Sequence, residues 1–294
     1  MKKKIFFFGT PDIAVSSLKE LSKLDNVKIV GVGVFPDRKV GRKQILTPCP
    51  VKVIAQELNL PITEINTKED LISIFNDNEI DLGIVIAFGM IFPEEILNKP
   101  KLGVVNVHFS LLPKYRGASP VQSSILAGEK TSGITFQKMV KGLDAGDILL
   151  QEKFNIQNKR TSEVFEEFSN QTAKLFPSFL DQLFNSNITP LPQDESKKTL
   201  CTKFKKTDGE IFPKKETAPE IWQKYLALNV WPEIYLSTSK GNLKLTELSL
   251  VASDNCSELS CAKNTSLFIK QAQLPGKKAM DIQEILKGNK DLFS

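Results

Sequence analysis

Histidine and cysteine are scarce in this sequence, which limits the metal and disulfide chemistry open to it. Its 294 residues include one histidine, His108, and four cysteines, which are Cys49, Cys201, Cys256 and Cys261. No Cys-x-x-Cys pair occurs, whereas a structural zinc site needs about four cysteine or histidine ligands, usually closely spaced in pairs. Four cysteines in so long a chain do not form the framework of a small disulfide-stabilised protein. We therefore expect reduced, structural thiols and no metal site.

Long apolar runs are also missing. The longest ones, such as Ile5 to Phe8 and Ile84 to Phe88, are far shorter than the roughly 20 residues that span a bilayer. The opening Met-Lys-Lys-Lys-Ile-Phe-Phe-Phe has the charge pattern of a secretory signal. However, Gly9-Thr10-Pro11 ends its apolar part before the about 7–15 residues that a signal core needs. The sequence thus predicts a first β-strand here and no membrane span, and we expect a cytoplasmic protein.

The positive charge of the chain is confined to its last third. Residues 1–196 hold 23 Lys and Arg against 23 Asp and Glu, whereas residues 197–294 hold 16 lysines against 11 acidic residues. The whole formal net charge of +5 therefore lies in the C-terminal part. This asymmetry is typical of a module that meets a polyanion. Lysines that only keep a small domain soluble would give the same charge.

Apolar strands alternate with amphipathic helices over the first two-thirds of the chain. The predicted strands are residues 4–8, 27–34, 82–88, 103–109 and 134–140. This alternation predicts an α/β domain at 1–184, in which helices cover a mostly parallel sheet that binds ligands beyond the carboxyl ends of its strands. A polar, proline-bearing stretch predicts a linker at 185–206. Short alternating segments in 207–294 then predict a small antiparallel domain, a β-barrel of the OB-like kind.

Two strand ends carry the candidate catalytic side chains. Asn106 and His108 lie on the predicted strand 103–109, and the two-residue period of a strand places them on the same side near its carboxyl end. A lone histidine is more often a surface or satisfied core residue. An Asn-x-His pair at a strand end, followed by a proline-containing loop, favours a catalytic role instead. The glycine-rich loop 142–147 supplies Asp144 at another strand end. Alone it indicates a turn, but together with the Asn-x-His pair it predicts a shared site.

The sequence around these residues resembles the folate-dependent formyltransferases. The resemblance is carried by Ser-Leu-Leu-Pro-Lys-Tyr-Arg-Gly, from Ser110 to Gly117, and by Asp-Ala-Gly-Asp-Ile from Asp144. Terminal motifs such as Trp231-Pro232 and Pro-Gly-Lys-Lys-Ala-Met from Pro275 narrow it to members that act on tRNA. It implies a Rossmann-like catalytic domain and no metal. It also implies 10-formyltetrahydrofolate as the formyl donor and initiator methionyl-tRNA as the acceptor.

The resemblance also implies a role for each candidate residue. Asn106 and an imidazolium His108 would donate hydrogen bonds to the oxyanion that forms when the methionine α-amine attacks the formyl carbon. Asp144 would orient His108 or a water molecule and receive the proton of the amine. The folate would bind along Ser110, Leu111, Leu112 and Pro113, and the backbone around Met90 and Phe92 would meet its pterin ring.

A basic segment between Pro36 and Pro50 is the predicted tRNA contact. It follows a strand and carries Arg38, Arg42 and Lys43, and the family uses an equivalent loop in this way. Such side chains pair with phosphates, and arginine also stacks on exposed bases. A solvated surface loop is the alternative interpretation. The lysine-rich C-terminal domain would add contacts to the nucleic-acid backbone.

Three other functions fit parts of the sequence. A formyltransferase for a small amine, such as an amino sugar or a glycinamide ribonucleotide, would share the central motif but is expected to lack the basic segment and the lysine-rich domain. An RNA-binding protein with a decayed catalytic domain is disfavoured by the intact catalytic set. A nucleotide-dependent dehydrogenase would need a Gly-x-Gly-x-x-Gly fingerprint, which Gly9-Thr10-Pro11 lacks. Phe212-Pro213 and Val230 depart from the family pattern, which affects the expected tRNA contacts and not the chemistry.

Overall fold

The computed structural model describes residues 1–41, 43–289 and 292 and divides into two compact units. The first unit consists of Met1–Pro120, Thr131–Asn155 and Phe165–Cys201, and the second of Val121–Lys130, Ile156–Val164 and Thr202–Ser294. The second unit thus includes two short segments from the middle of the chain. Arg42, one of the predicted tRNA contacts, lies outside the described residues. No helix in the described part of the chain is long and apolar enough to cross a membrane.

The first unit is built on a mostly parallel sheet, as predicted. In chain order its strands are β1 (Lys3–Gly9), β2 (Val27–Val34), β3 (Arg38–Val40), β4 (Ile45–Thr47), β5 (Ile62–Glu64), β6 (Leu82–Ile86), β7 (Val104–His108), β8 (Arg116–Gly117), β9 (Thr131–Lys138), β10 (Ile148–Asn155) and β11 (Leu200–Cys201). The main sheet has the order β10-β9-β7-β6-β1-β2-β5. Strands β1, β2, β5, β6 and β7 pair in parallel, whereas β9 is antiparallel to both β7 and β10.

Helices lie between or after the strands of this sheet. They are α1 (Val15–Lys23), α2 (Pro50–Glu57), α3 (Lys68–Asp77), α4 (Glu94–Leu97), α5 (Pro120–Leu126) and α6 (Thr161–Phe184). Residues 121–126 and 161–164 of the last two helices belong to the second unit. The start of α3 shows why a helix begins where it does, because Thr67 and Asp70 form a capping box. The Asp70 carboxylate accepts hydrogen bonds from the backbone N–H groups of Asn66 and Thr67, which lower the pKa of Asp70.

An aromatic cluster joins β1 to α3 and to the loop that follows β6. The Phe8 ring lies 4.9 Å from Phe6, 5.7 Å from Phe75 and 5.0 Å from Phe92, measured between ring centroids. All four side chains are buried. Aromatic pairs in such geometries stabilise a core beyond the area that they bury. The cluster therefore anchors the loop that follows β6, whose backbone the family resemblance predicts to meet the pterin ring.

The second unit contains the predicted antiparallel sheet. Its elements are α7 (Ala218–Ala227), β12 (Tyr235–Thr238), β13 (Gly241–Ser249), β14 (Ser257–Cys261), β15 (Thr265–Gln273), β16 (Met280–Asp281) and α8 (Ile282–Lys287). The strand order is β12-β13-β15-β14, with β16 also pairing β15, and these pairs are antiparallel. The predicted antiparallel domain is therefore confirmed, whereas its closure into an OB-like barrel stays a prediction.

Residues 156–164 join the second unit through specific contacts with α7 and the loop after it. Thr161 Oγ1 donates a hydrogen bond of 2.7 Å to the Ala227 carbonyl oxygen. Asn229 Nδ2 donates one of 2.7 Å to Ser162 Oγ. The guanidinium of Arg160 also lies 4.7 Å from the centroid of a tyrosine ring on α7, within the range of a cation–π interaction. The first turn of α6 is therefore part of the second unit.

Candidate active site

Strands β7 and β9 place polar side chains side by side. Asn106 pairs with Gln137 in the antiparallel register, and His108 pairs with Thr135. Because β9 is antiparallel to β7, its carboxyl end lies away from His108, unlike the end of a parallel neighbour. The loop 139–147 therefore turns back toward His108, and the Lys138 N–H donates a hydrogen bond of 3.0 Å to the carbonyl oxygen of the loop's last residue. This return path brings Asp144 to the predicted residues on β7.

The Asp144 carboxylate is the centre of the site. Its Oδ2 accepts a hydrogen bond of 2.8 Å from the Gly117 backbone N–H. Its Oδ1 accepts one of 2.9 Å from Gln137 Nε2 and a longer one of 3.4 Å from Asn106 Nδ2. Asp144 itself has a backbone φ of +46°, a left-handed conformation that a residue with a side chain seldom adopts. Three hydrogen-bond donors and a strained backbone conformation thus fix the position of this carboxylate.

His108 is held on both sides of its ring. Its Nδ1 lies 3.6 Å from Asp144 Oδ2, and its Nε2 lies 2.9 Å from the carbonyl oxygen of Tyr115. Since a carbonyl oxygen only accepts, Nε2 carries a proton in this arrangement. The side chain is 5% exposed. Donation from Nε2 to a substrate oxygen therefore requires that the bond to Tyr115 be shared or exchanged.

Gly117 occupies a position that a larger residue would not fit. Its φ is +125°, and a Cβ added there would lie 2.1 Å from the carbonyl oxygen of Cys201. The close approach arises because β8 pairs in parallel with β11, where Gly117 lies beside Cys201. Glycine is therefore needed at this point of the motif so that its N–H can reach Asp144.

In the loop 110–113, two side chains are buried in the protein and two are partly exposed. Ser110 is fully buried; its Oγ donates a hydrogen bond of 2.6 Å to the Lys114 carbonyl oxygen, and its own carbonyl accepts one of 2.6 Å from Thr135 Oγ1. Leu112 is buried as well. Leu111 and Pro113 are only half-buried and leave part of their surface to a ligand. Of the predicted folate contacts in this loop, Ser110 and Leu112 therefore act chiefly by shaping it.

The loop after β6 shows a similar division. The Phe92 ring belongs to the aromatic core, so the ring is not available to a ligand. Met90 is half-buried against the same core, and Ile91 between them is 75% exposed. Ala87 and Gly89 adopt φ values of +49° and +78°, which turn the backbone sharply after the strand. This geometry suits the predicted contact through the backbone of Met90 to Phe92.

The predicted basic loop contains a short β-hairpin. Strands β3 and β4 pair in an antiparallel register, with Arg38 opposite Thr47. The side chains of Arg38 and Lys43 are exposed, and the Arg38 guanidinium lies 5.5 Å from the centroid of the Phe35 ring. Large exposed apolar side chains accompany these cations at Val40, Ile45 and Leu46. We call residues 38–47 the basic hairpin; the exposed side chains of its described part include both cations and apolar groups.

Two family models match the chain. One is described as "Formyl transferase" and matches residues 1–180, and the other as "Formyl transferase, C-terminal domain" and matches residues 203–290. The chain belongs to the formyl transferase family. A methionyl-tRNA formyltransferase from Campylobacter jejuni subsp. jejuni serotype O:23/36 (strain 81-176) is 41% identical over 307 residues, which cover 98% of this chain and 97% of the relative.

Solved structures of other formyl transferases share this fold. The sugar 3N-formyl transferase WlaRD, determined in the presence of dTDP and 5-N-formyl-THF, matches with a TM-score of 0.69 at 21% identity and covers 95% of this chain and 100% of its own. A methionyl-tRNA formyltransferase from Clostridium thermocellum matches with a TM-score of 0.59 at 20% identity, covering 85% of this chain and 94% of its own. At such identities the likeness shows the fold alone.

The sequence patterns did not predict several residues of the candidate site. Gln137 donates to Asp144, and Gln151 Nε2 donates hydrogen bonds of 3.1 Å to the Leu112 carbonyl oxygen and 2.8 Å to Thr135 Oγ1. Gln137 had a signal, because it is a polar residue in the predicted strand 134–140, whose other residues are mostly apolar. Gln193 contacts the Asp144 loop from a polar stretch that indicated only a linker, so no local pattern could have found it.

The buried Arg116, next to Gly117, forms an ion pair with Glu195. Its side chain is 3% exposed, and Nη2 lies 2.6 Å from Glu195 Oε1. The hydrogen bond from Arg116, followed by one from Lys198, lowers the pKa of Glu195. A buried guanidinium needs such a partner because an unpaired charge is costly away from water.

In the part of the chain that the structure describes, no group of three or more His, Cys, Asp or Glu side chains is arranged to hold a metal ion.

Proposed function

We propose that this chain is a methionyl-tRNA formyltransferase, which moves the formyl group of 10-formyltetrahydrofolate to the α-amine of initiator methionyl-tRNA. The observation that carries the proposal is the combination of near full-length identity to a protein of that name with the cluster around Asp144. The product, formylmethionyl-tRNA, would serve the initiation of translation. The proposed place of action is accordingly the cytoplasm.

The proposed reaction is acyl transfer to an amine. The amine nitrogen forms a bond to the formyl carbon, the carbonyl oxygen takes up negative charge, and the bond from carbon to folate nitrogen then breaks. The amine loses a proton, and the folate nitrogen gains one. Catalysis therefore requires a hydrogen-bond donor at the developing oxyanion and a group that accepts the proton of the amine.

The described residues supply groups of both kinds. Asn106 Nδ2 carries two hydrogens and makes one long bond to Asp144, so its second hydrogen is available to an oxyanion. His108 supplies a second donor if the oxyanion shares or replaces the Tyr115 carbonyl at Nε2. Asp144 accepts the proton of the amine, directly or through a water molecule. Removing one oxyanion donor typically costs about 10²–10³ in rate.

The substrates are proposed to bind through separate parts of the chain. The folate donor lies along Leu111 and Pro113, shaped by Ser110 and Leu112, with its pterin ring against the backbone of Met90 to Phe92. The tRNA contacts the basic hairpin through Arg38, Arg42 and Lys43. In this proposal residues 1–184 carry the catalytic side chains, 185–206 lead from them to the C-terminal domain, and the lysine-rich 207–294 bind the tRNA backbone. The structure places 185–201 within the first unit.

A formylation assay tests the proposal. Purified protein is incubated with 10-formyltetrahydrofolate and one amine acceptor at a time: initiator methionyl-tRNA, elongator methionyl-tRNA, glycinamide ribonucleotide or a nucleotide-linked amino sugar. The expected result is a folate-dependent formyl product on initiator methionyl-tRNA and far less on the others. A small amine as the preferred acceptor would replace the proposed function with small-molecule formylation. Equal rates on both tRNAs would remove only the initiator specificity.

A further inference from the structure

A glutamine from the polar stretch after α6 bridges two carbonyl groups of the Asp144 loop. Gln193 Nε2 donates hydrogen bonds of 2.8 Å to the Asp144 carbonyl oxygen and 2.7 Å to the Gly146 carbonyl oxygen. A primary amide has two hydrogens, so both are used here. One carbonyl belongs to Asp144 itself, whose carboxylate is the centre of the site, and the other lies two residues later in the same turn. Gln193 thus holds the backbone of the turn that carries Asp144.

The orientation of Gln193 is itself fixed by a buried arginine. Its Oε1 accepts hydrogen bonds of 3.0 Å from Arg116 Nε and 2.8 Å from Arg116 Nη2. Because a guanidinium only donates, the oxygen of the amide must face Arg116 and the nitrogen must face the loop. Arg116 directly precedes Gly117, whose N–H donates to the Asp144 carboxylate. One pair of side chains therefore links the backbone of Asp144 to the strand that binds its carboxylate.

The surrounding chain holds Gln193 in place at both ends. We call residues 191–201 the strap. At its start, Leu191 and Ile148 exchange backbone hydrogen bonds of 2.9 Å and 2.8 Å. Toward its end, the Thr199 carbonyl oxygen accepts a bond of 2.9 Å from the Arg116 N–H, and β11 pairs with β8. The strap is thus fastened on both sides of the Asp144 loop, and the first unit includes it.

We propose that Gln193 is a positioning residue for Asp144 and that the strap is part of the catalytic machinery instead of a passive linker. Gln193 does not contact the reacting atoms in this proposal. It acts by keeping the Asp144 turn, with its left-handed backbone, at the distance that places the carboxylate against His108 and Asn106. The proposal rests on the proposed function only for its kinetic test.

The kinetic test compares Gln193→Met, Gln193→Glu and a control, Gln182→Met, with the wild type. Methionine keeps the length but makes none of the bonds, whereas glutamate can still accept from Arg116 but cannot donate to the loop. Gln182 is exposed on α6 and lies outside the site. We expect kcat to fall by about 10- to 100-fold in both Gln193 variants, with each KM within about threefold, because a displacement of about 1 Å costs rates of this order. The control should match the wild type.

A double variant separates positioning from general damage. If Gln193 acts through Asp144, adding Gln193→Met to Asp144→Asn should lower kcat by less than about threefold further, since interacting residues are not additive. A full additional 10- to 100-fold loss would overturn the proposal. Unchanged kcat in folded Gln193 variants would overturn it as well. Thermal melting of every variant shows which of them are folded. If Gln193→Met does not fold, Gln193→Glu replaces it in the double variant.

A spectroscopic readout makes the test independent of turnover. His108 is the only histidine of the chain, so its ring signals in a nitrogen-15 NMR spectrum are unambiguous. Gln193→Met should shift these signals because the Asp144 carboxylate next to the ring moves, and Gln182→Met should leave them in place. Unshifted ring signals in Gln193→Met would refute the inference even if the wild type formylates no tRNA. Absence of formylation by the wild type, with shifted signals in Gln193→Met, would refute only the proposed function.

Discussion

The cluster around Asp144 and the basic hairpin are both predicted from short sequence motifs, yet they differ in their physical character. In the cluster, His108 is 5% and Asp144 13% exposed by side chain, and each of them has several polar contacts. In the hairpin, Arg38 and Lys43 are exposed, and no ion pair between described residues involves them. The cluster thus has polar partners within the chain, as the proposed catalytic role requires. The described cations of the hairpin are exposed, as the proposed contact with a polyanion requires.

This difference decides how each region should respond to change. Charges that are fixed in a dry site interact strongly and depend on geometry. Exposed cations interact weakly with their own protein, and salt screens their contacts with a nucleic acid. Substitutions in the cluster should therefore lower kcat at any salt concentration, and substitutions in the hairpin should change KM in a way that depends on salt.

Replacement of His108 by alanine should give the largest effect. The ring joins Asp144 to the loop that carries Tyr115, and its loss removes both contacts. We expect kcat to fall by about 10²–10⁴ with small changes in KM, because general acid–base and oxyanion contributions are of this size. Steady-state kinetics on methionyl-tRNA provide the measurement, and circular dichroism checks the fold. A folded variant with near-normal turnover would mean that the cluster is structural.

Replacement of Asp144 by asparagine should cost about 10²–10³ in kcat. The amide keeps the shape but cannot take up a proton, and its NH₂ group must face one of the donors that now point at the carboxylate. That conflict should also destabilise the fold by about 1–3 kcal/mol. The pH dependence of kcat/KM distinguishes the two effects, since only the loss of a proton acceptor changes its shape. A profile of the same shape as that of the wild type would exclude a proton-transfer role.

Parts of this site could be predicted from local patterns, and other parts could not. Asn106 and His108 follow from the period of one strand, and the mostly parallel sheet follows from alternating apolar segments. The antiparallel direction of β9 has no local signature, because strand direction depends on how the connection closes. Gln193 lies 49 residues from Asp144 in sequence and meets it only because backbone bonds hold the strap against the loop. Long-range contacts of this kind leave no periodicity to read.

The basic hairpin should respond more weakly and only toward tRNA. In the double variant Arg38→Ala, Lys43→Ala we expect a rise in KM for methionyl-tRNA equivalent to at least about 1 kcal/mol and no change in folate affinity. The dependence of tRNA binding on salt should fall by about two phosphate contacts, at a slope of about 0.9 each for duplex. The charge-matched control is the double variant Lys19→Ala, Lys28→Ala, which removes two exposed lysines, one on α1 and one on β2.

Titrations of tRNA and of folate at several salt concentrations measure both effects. If the salt dependence of tRNA binding is the same in the double variant as in the wild type, the hairpin is an ordinary solvated surface and does not contact tRNA. Arg42 lies outside the described residues. We expect Arg42→Ala also to raise the KM for methionyl-tRNA and to lower the salt dependence of tRNA binding by about one phosphate contact. A loss of folate affinity in either variant would contradict the separation between cluster and hairpin.

The ion pair between Arg116 and Glu195 is intermediate between the buried cluster and the exposed hairpin, since the arginine side chain is 3% and the glutamate side chain 61% exposed. The hydrogen bond from Arg116 lowers the pKa of Glu195 from its ordinary value of 4.5. A carboxylate with a lowered pKa in the folded state stabilises that state fully above its ordinary value, and the contribution is lost as pH falls through the lowered one. Glu195→Gln lacks this contribution, so its Tm should be slightly lower than that of the wild type at neutral pH. The difference should shrink below about pH 4.5 and then disappear. Calorimetry from about pH 7 to about pH 3 measures it, with Glu152→Gln, an exposed carboxylate on β10, as the control. A difference in Tm that stays constant down to acidic pH would show that the charge of Glu195 does not stabilise the fold. Glu195 would then differ from the charged groups of the cluster, and only the buried Arg116 would resemble them.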